Sequence, residues 1–116
     1  MKKKLDAAYG VIGLGRFGEA LATMLAQSGN EVIAVDKDER KIREIRQYTD
    51  CAFVADNLSA DTLKEIGIQN CDVVIICIGE QVDVSVLTTM SVIEMGVPRV
   101  IAKALSPEQG LSLIHI

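Results

Sequence analysis

The sequence predicts an α/β fold built on a doubly wound parallel sheet, and three observations carry that prediction. Short apolar runs rich in Val and Ile alternate with helix-patterned stretches along the chain, joined by short connections. The segment Gly13-Leu14-Gly15-Arg16-Phe17-Gly18 stands between the first apolar run and the first helix. An acidic residue, Asp36, closes the second run.

Taken in order, residues 7–12 form a short apolar run and read as a buried strand. After the glycines, Phe17, Leu21, Met24, Leu25 and Ser28 recur at helical spacing, and Gly29-Asn30 supplies residues tolerant of positive φ to end that helix. A second strand over 31–35 ends on Asp36. Residues 38–48 carry Ile42 and Ile45 on one side and charges elsewhere, the pattern of a solvated surface helix. A third strand, 52–55, precedes Asp56-Asn57. Ser59 is the N-cap of a short helix over 60–66, with Asp61 in its first turn and Gly67 as its stop.

Residues 72–78 are apolar almost throughout, as a central parallel strand covered on both faces requires. The helix over 82–95 ends at Gly96, with Pro98 two residues on. It is apolar on more than one side: Val82, Val86, Met90 and Ile93 line one, while Val84, Leu87 and Met95 add another. One side covers the sheet; the other suggests a subunit contact, or burial by further chain. A fifth strand over 99–103 comes next, and Ser106-Pro107-Glu108 reads as the opening of another helix, with Pro at its first position. Right-handed crossovers give the Rossmann arrangement, six-stranded in its full form and here truncated after about five strands.

The last six residues are read separately. Residues 111–116 are what the codons CTG TCT CTT ATA CAC ATC encode, a string resembling a transposon end used as a sequencing adapter. They are expected to be a non-native tail, leaving 7–110 as the domain.

Composition excludes several functions. The chain has 116 residues and a formal net charge of -4, so no basic surplus exists to neutralise nucleic-acid phosphates. Aromatics are 3% with no Trp, which argues against base-stacking platforms. The strongest apolar run, 73–78, falls far short of the roughly 20 residues of a membrane span. Met1-Lys2-Lys3-Lys4 is basic, yet Asp6 and the glycines after it leave no signal-peptide core. A cytoplasmic protein is expected. Cys51, Cys71 and Cys77 match neither a redox pair nor a zinc knuckle and read as small buried hydrophobes. The single histidine, His115, leaves little material for histidine catalysis or metal ligation.

The glycine segment has the context of a dinucleotide fingerprint. Gly13 allows the tight turn, Gly15 lets the backbone approach a phosphate, and Gly18 lets the helix pack close to the sheet. A helix N-terminus presents unpaired N–H groups and a positive dipole end to an anion. Asp36, 21 residues after Gly15, is placed to accept from ribose hydroxyls and to repel a 2′-phosphate. Arg16 opposes the helix dipole unless an anion sits there, so it either reaches phosphate or bends into solvent. At the ends of later strands, Asp56 and Asn57 either border an adenine or shape a turn, and Ile78-Gly79-Glu80 either approaches the ligand or forms a loop. Lys103 either adds charge to the phosphates or lies on the surface.

The stretches Tyr9-Gly10-Val11-Ile12-Gly13-Leu14-Gly15-Arg16-Phe17-Gly18 and Glu31-Val32-Ile33-Ala34-Val35-Asp36 resemble the RCK/KTN (TrkA-N type) nucleotide-binding domain that regulates potassium conductance. Residues 72–79, Leu87-Thr88-Thr89 and 100–104 look like the same family, so the resemblance covers nearly all of 8–110. Its nearest form is the cytosolic regulatory subunit of Trk/Ktr potassium uptake systems. The resemblance implies a non-enzymatic gating subunit that binds ATP/ADP or NAD(H) and assembles as dimers into a ring. Such a ring lies at the inner face of the membrane, beneath a potassium-translocating subunit. It implies a binding set of Gly13, Gly15, Arg16, Phe17, Gly18, Asp36, Lys37, Asp56, Asn57, Ile78, Gly79, Glu80, Lys103 and Ala104, with Arg16 and Lys103 on phosphates and Asp36 on ribose. The family's C-terminal effector lobe is absent from this sequence. The alternatives are the cofactor-binding fragment of an NAD-dependent oxidoreductase and the RCK domain of a potassium efflux system.

Overall fold

A computed structural model describes residues 7–79, 81–106 and 110–115. Its elements run β1 (Ala8–Ile12), α1 (Arg16–Gln27), β2 (Glu31–Asp36), α2 (Glu39–Ile45), β3 (Cys51–Val54), α3 (Ala60–Ile66), β4 (Val73–Ile76), α4 (Val82–Glu94), β5 (Arg99–Ser106) and β6 (Gly110–His115), with a 3-10 turn at Ile68–Asn70. The sheet order is β3-β2-β1-β4-β5-β6. The first five strands are parallel, as the alternation of elements predicts.

Strand alternation sorts the core into two layers. Val11, Ala34 and Ile75 lie side by side in register on one face, where they meet Ala22 of α1 and Ile42 and Ile45 of α2. Ile12, Val35 and Ile76 occupy the other face with Leu63 of α3 and Val92 of α4. Full burial of each large apolar side chain is worth about 1.5–3 kcal/mol, so both layers are needed to hold the central strands.

Local signals act as their chemistry requires. Asp38 caps α2 by accepting from the Arg40 N–H at 2.9 Å, and Ser59 caps α3 by accepting from the Thr62 N–H at 3.2 Å. On α2 the charged residues face water, with Arg43 and Glu39 3.4 Å apart, while Ile42 and Ile45 are buried.

Three expectations need correction. Cys71 and Cys77 are buried, but Cys51 opens the edge strand β3 and is exposed. Ser106 is not the cap of a helix; it closes β5, which runs to residue 106, and β6 pairs antiparallel to it from Ser106↔Gly110 to Ile101↔His115. A residue before Pro is driven to the extended region, and an N-cap is extended too, so Ser106-Pro107 suits either ending. The rest of that expected helix start, Pro107 and Glu108, lies outside the described residues. The last concerns α4, for which the sequence left open which of two apolar sides covers the sheet: Val82, Val86, Met90 and Ile93 are all exposed, and so is Leu87 of the other side. Ser85, Thr88, Thr89 and Val92 face inward instead.

Candidate functional site

In a parallel sheet every strand's carboxyl end reaches the same rim, and the rim opens where the chain reverses its order of strands. That switch lies between β1 and β4, and the glycine segment crosses it. The Cys77 N–H donates to the Ile12 carbonyl at 2.7 Å, and the Gly13 N–H donates to the Val35 carbonyl at 2.8 Å. The loop is thus tied to both flanking strands as it leaves β1.

Each glycine has its own reason. Gly13 has φ +100°, and a Cβ there would lie 2.9 Å from the Cys77 carbonyl carbon and oxygen. A Cβ on Gly18 would overlap the Gly13 carbonyl oxygen and lie 3.3 Å from the Cys77 Cβ, so α1 rests directly on the loop that starts it. Gly15 differs. It is the N-cap of α1, makes no side-chain cap, and has nothing within 4 Å of the Cβ position. The first turn of α1 therefore meets an open space with its amides unsatisfied by any cap side chain, the arrangement that receives anions.

Around this opening, Arg16 begins α1 exposed and makes no ion pair among the described residues, while Phe17 is half-buried against the α1 side of the core. Asp36 is half-buried at the end of β2. Its Oδ2 accepts from the Leu14 N–H at 2.6 Å and its Oδ1 from the Asp38 N–H at 2.8 Å. Lys37 beside it is exposed.

Beyond β3, Asp56 and Asn57 are exposed. Asn57 Oδ1 accepts from the Ser59 N–H at 3.2 Å and from the Thr62 hydroxyl at 3.0 Å, so it serves the turn into α3. Ile78 and Gly79 come after β4, half-buried, with Ile78 packed on the α3/α4 side of the core; Glu80 lies outside the described residues.

Lys103 sits two residues beyond Ile101, which packs on the α1 side, so alternation places Lys103 on that side of β5. Electrostatics agree. Burial pushes the Cys77 thiol up to about 11, and the positive charge of Lys103 pulls it partly back. Ala104 continues β5 opposite Ser112.

The structure thus gathers the three glycines, Arg16, Phe17, Asp36 and Ile78-Gly79 at one rim, with Lys103 on the same face as α1. Asp56 and Asn57 stand at the end of the neighbouring strand, with Asn57 occupied in the turn. Sequence reasoning missed the use of Asp36 by backbone amides; an Asp two residues before an N-cap Asp is the only hint. Among the described residues no group of His, Cys, Asp and Glu has metal-site geometry, and no helix is long and apolar enough to cross a membrane.

The fold and glycine loop define a Rossmann-like domain of the nucleotide-binding type. Within that class the chain belongs to the TrkA-N domain family, whose model matches residues 9–115. It is 40% identical over 104 residues to the Ktr system potassium uptake protein C of Bacillus subtilis (strain 168), covering 90% of this chain and 45% of that protein. It is 39% identical over 99 residues to the Ktr system potassium uptake protein A of Vibrio alginolyticus, covering 85% of this chain and 45% of that one. The chain thus spans about half the length of the curated relatives it matches. Among solved structures, the TrkA-N domain of the inner membrane protein ybaL from Escherichia coli superposes with a TM-score of 0.72 at 15% identity, over 90% of this chain and 77% of that one.

Proposed function

We propose that this chain is the nucleotide-sensing domain of a cytoplasmic regulatory subunit that gates a potassium uptake system. The observation that carries the reading is the match to two Ktr potassium uptake proteins over most of the chain. The open first turn of α1 at Gly15 supports the nucleotide part. The ligand is ATP/ADP or NAD(H), held by Gly13, Gly15, Phe17 and Gly18 at the pyrophosphate, Arg16 and Lys103 at the phosphates, and Asp36 with Lys37 at the ribose. Asp56, Asn57, Ile78, Gly79 and Glu80 border the base, and Ala104 lies beside Lys103.

The domain binds and signals; it does not turn over substrate. A nucleotide shifts a two-state assembly only by its differential affinity for the two states. Arg16 is the natural discriminator, because its planar fork suits a terminal phosphate. The outward stripe of α4 supports assembly of copies into dimers and a ring, and the ring sits at the inner face of the membrane on a potassium-translocating partner. Residues 7–110 form the domain, and 111–116 are a non-native tail.

Calorimetric titration with ATP, ADP, NADH and NADPH tests the reading. ATP is expected to bind tighter than NADH, and NADPH weakest. NADH binding much tighter than ATP overturns the choice of nucleotide; no binding by any of the four overturns the sensing role.

A further inference from the structure

We propose that Asp36 is a positioning residue for the glycine loop, whose carboxylate builds the phosphate-facing backbone as well as meeting a ribose. The proposal rests on the nucleotide reading above. Two successive loop amides are anchored to two successive residues of β2: Gly13 N–H to the Val35 carbonyl at 2.8 Å, and Leu14 N–H to Asp36 Oδ2 at 2.6 Å. Leu14 is 1% exposed, so water offers its amide little alternative. The same carboxylate accepts from the Asp38 N–H through Oδ1, and the Asp36 carbonyl accepts from the Ala55 N–H at 3.0 Å. One residue therefore joins the loop, the start of α2 and the end of β3.

The chemistry requires a carboxylate. An ionised carboxyl group only accepts, at two oxygens with about four lone-pair sites, so two backbone donors leave capacity for ribose hydroxyls. An Asn keeps the shape with one acceptor, and its amide N–H₂ opposes the second backbone donor. Both backbone N–H groups are thus held by the same side chain that meets the ligand.

The test separates positioning from ribose contact. Affinities of the whole chain for ATP and for 2′,3′-dideoxy-ATP, which lacks both ribose hydroxyls, are measured for wild type and Asp36→Ala. A positioning role weakens both ligands by about tenfold or more, since a charge-assisted bond to the loop is lost in each case. A residue that acts only on the hydroxyls leaves dideoxy-ATP binding unchanged, and that result overturns the proposal. The second readout needs no ligand. Amide hydrogen exchange at Leu14 is expected to accelerate at least about tenfold in Asp36→Ala while β1 and β4 amides keep their protection. Unaltered Leu14 exchange overturns the proposal as well. If Asp36→Ala does not fold, Asp36→Asn is carried through the same cycle. Failure of wild type to bind either nucleotide counts against the nucleotide reading, and the exchange experiment then decides the role of Asp36 alone.

Discussion

Helices α1 and α4 both flank the switch between β1 and β4, from opposite faces of the sheet, and they face their surroundings in opposite ways. Helix α1 turns Ala22 and the flanks of Phe17, Leu21 and Leu25 toward the core and leaves Met24 as its one large exposed apolar side chain. Helix α4 turns Ser85, Thr88 and Thr89 inward and leaves Val82, Val86, Leu87, Met90 and Ile93 exposed. Of the inward groups, the Thr89 hydroxyl is satisfied within the helix, donating to the Ser85 carbonyl at 2.7 Å. Small hydroxyl residues let α4 lie close to the sheet, while its apolar side chains go to the surface. One helix is fitted to the domain's own core; the other leaves a contiguous apolar face outside it.

The largest effect is expected where α1 meets the loop. Gly18→Ala drives a methyl into the Gly13 carbonyl, a backbone group in a loop that runs close to Cys77. A loss of about 3 kcal/mol or more is expected, read by urea unfolding. A variant as stable as wild type breaks the claim that α1 rests on the loop.

An intermediate effect is expected from pH. Burial pushes both Cys71 and Cys77 up to about 11 from 9.0, with Asp72 adding to the rise at Cys71 and Lys103 opposing it at Cys77. Above pH 9 the unfolded chain gains by ionising thiols that the folded chain keeps protonated. Stability from these groups is therefore full below pH 9 and is lost as pH rises toward 11. Unfolding midpoints measured from pH 8 to 11 are expected to fall, and to fall less when both thiols are replaced by Ala relative to that variant's own value at pH 8. Equal slopes break the assignment.

The smallest effect on the protomer is expected on α4. Val86→Asp with Met90→Asp changes only exposed positions, so protomer stability stays within about 0.5 kcal/mol. Light scattering is expected to register loss of self-association in the same variant. Destabilisation by several kcal/mol sharpens the comparison the other way, by placing this face inside the fold.

Most of the fold was legible because its signals are local. Ser59 and Gly67 bracket α3, Gly29 and Gly96 end helices at positive φ, and the apolar stretch at β4 has no reading other than a covered strand or buried helix. The direction in which α4 faces was not legible. Two apolar sides on one helix have no order of preference until the sheet's depth fixes which residues fit against it. The extension of β5 to Ser106 was hidden for a different reason, since a Ser before Pro is extended both at the end of a strand and at the cap of a helix. At the site, the glycines and Asp36 could be placed from spacing alone. The clasp on Leu14 could not, because it depends on a contact 22 residues away along the chain. Asn57 is the converse case: a plausible base-side residue whose acceptor is already engaged by Ser59 and Thr62.

The pairing of β1 with β4 also makes the glycine turn depend on a distant part of the chain. The Ala8 N–H meets the Asp72 carboxylate across 64 residues of chain, and Cys77 reaches back to Ile12. β4 supplies the far wall of the glycine turn through Cys77, whereas β1, α1 and β2 are consecutive in the chain. Closing a loop of that length costs chain entropy that a contact between neighbouring elements does not. The rim at the glycine loop is therefore complete only when residues 73–77 are in place: without them the chain has the glycines but not the wall their turn packs against.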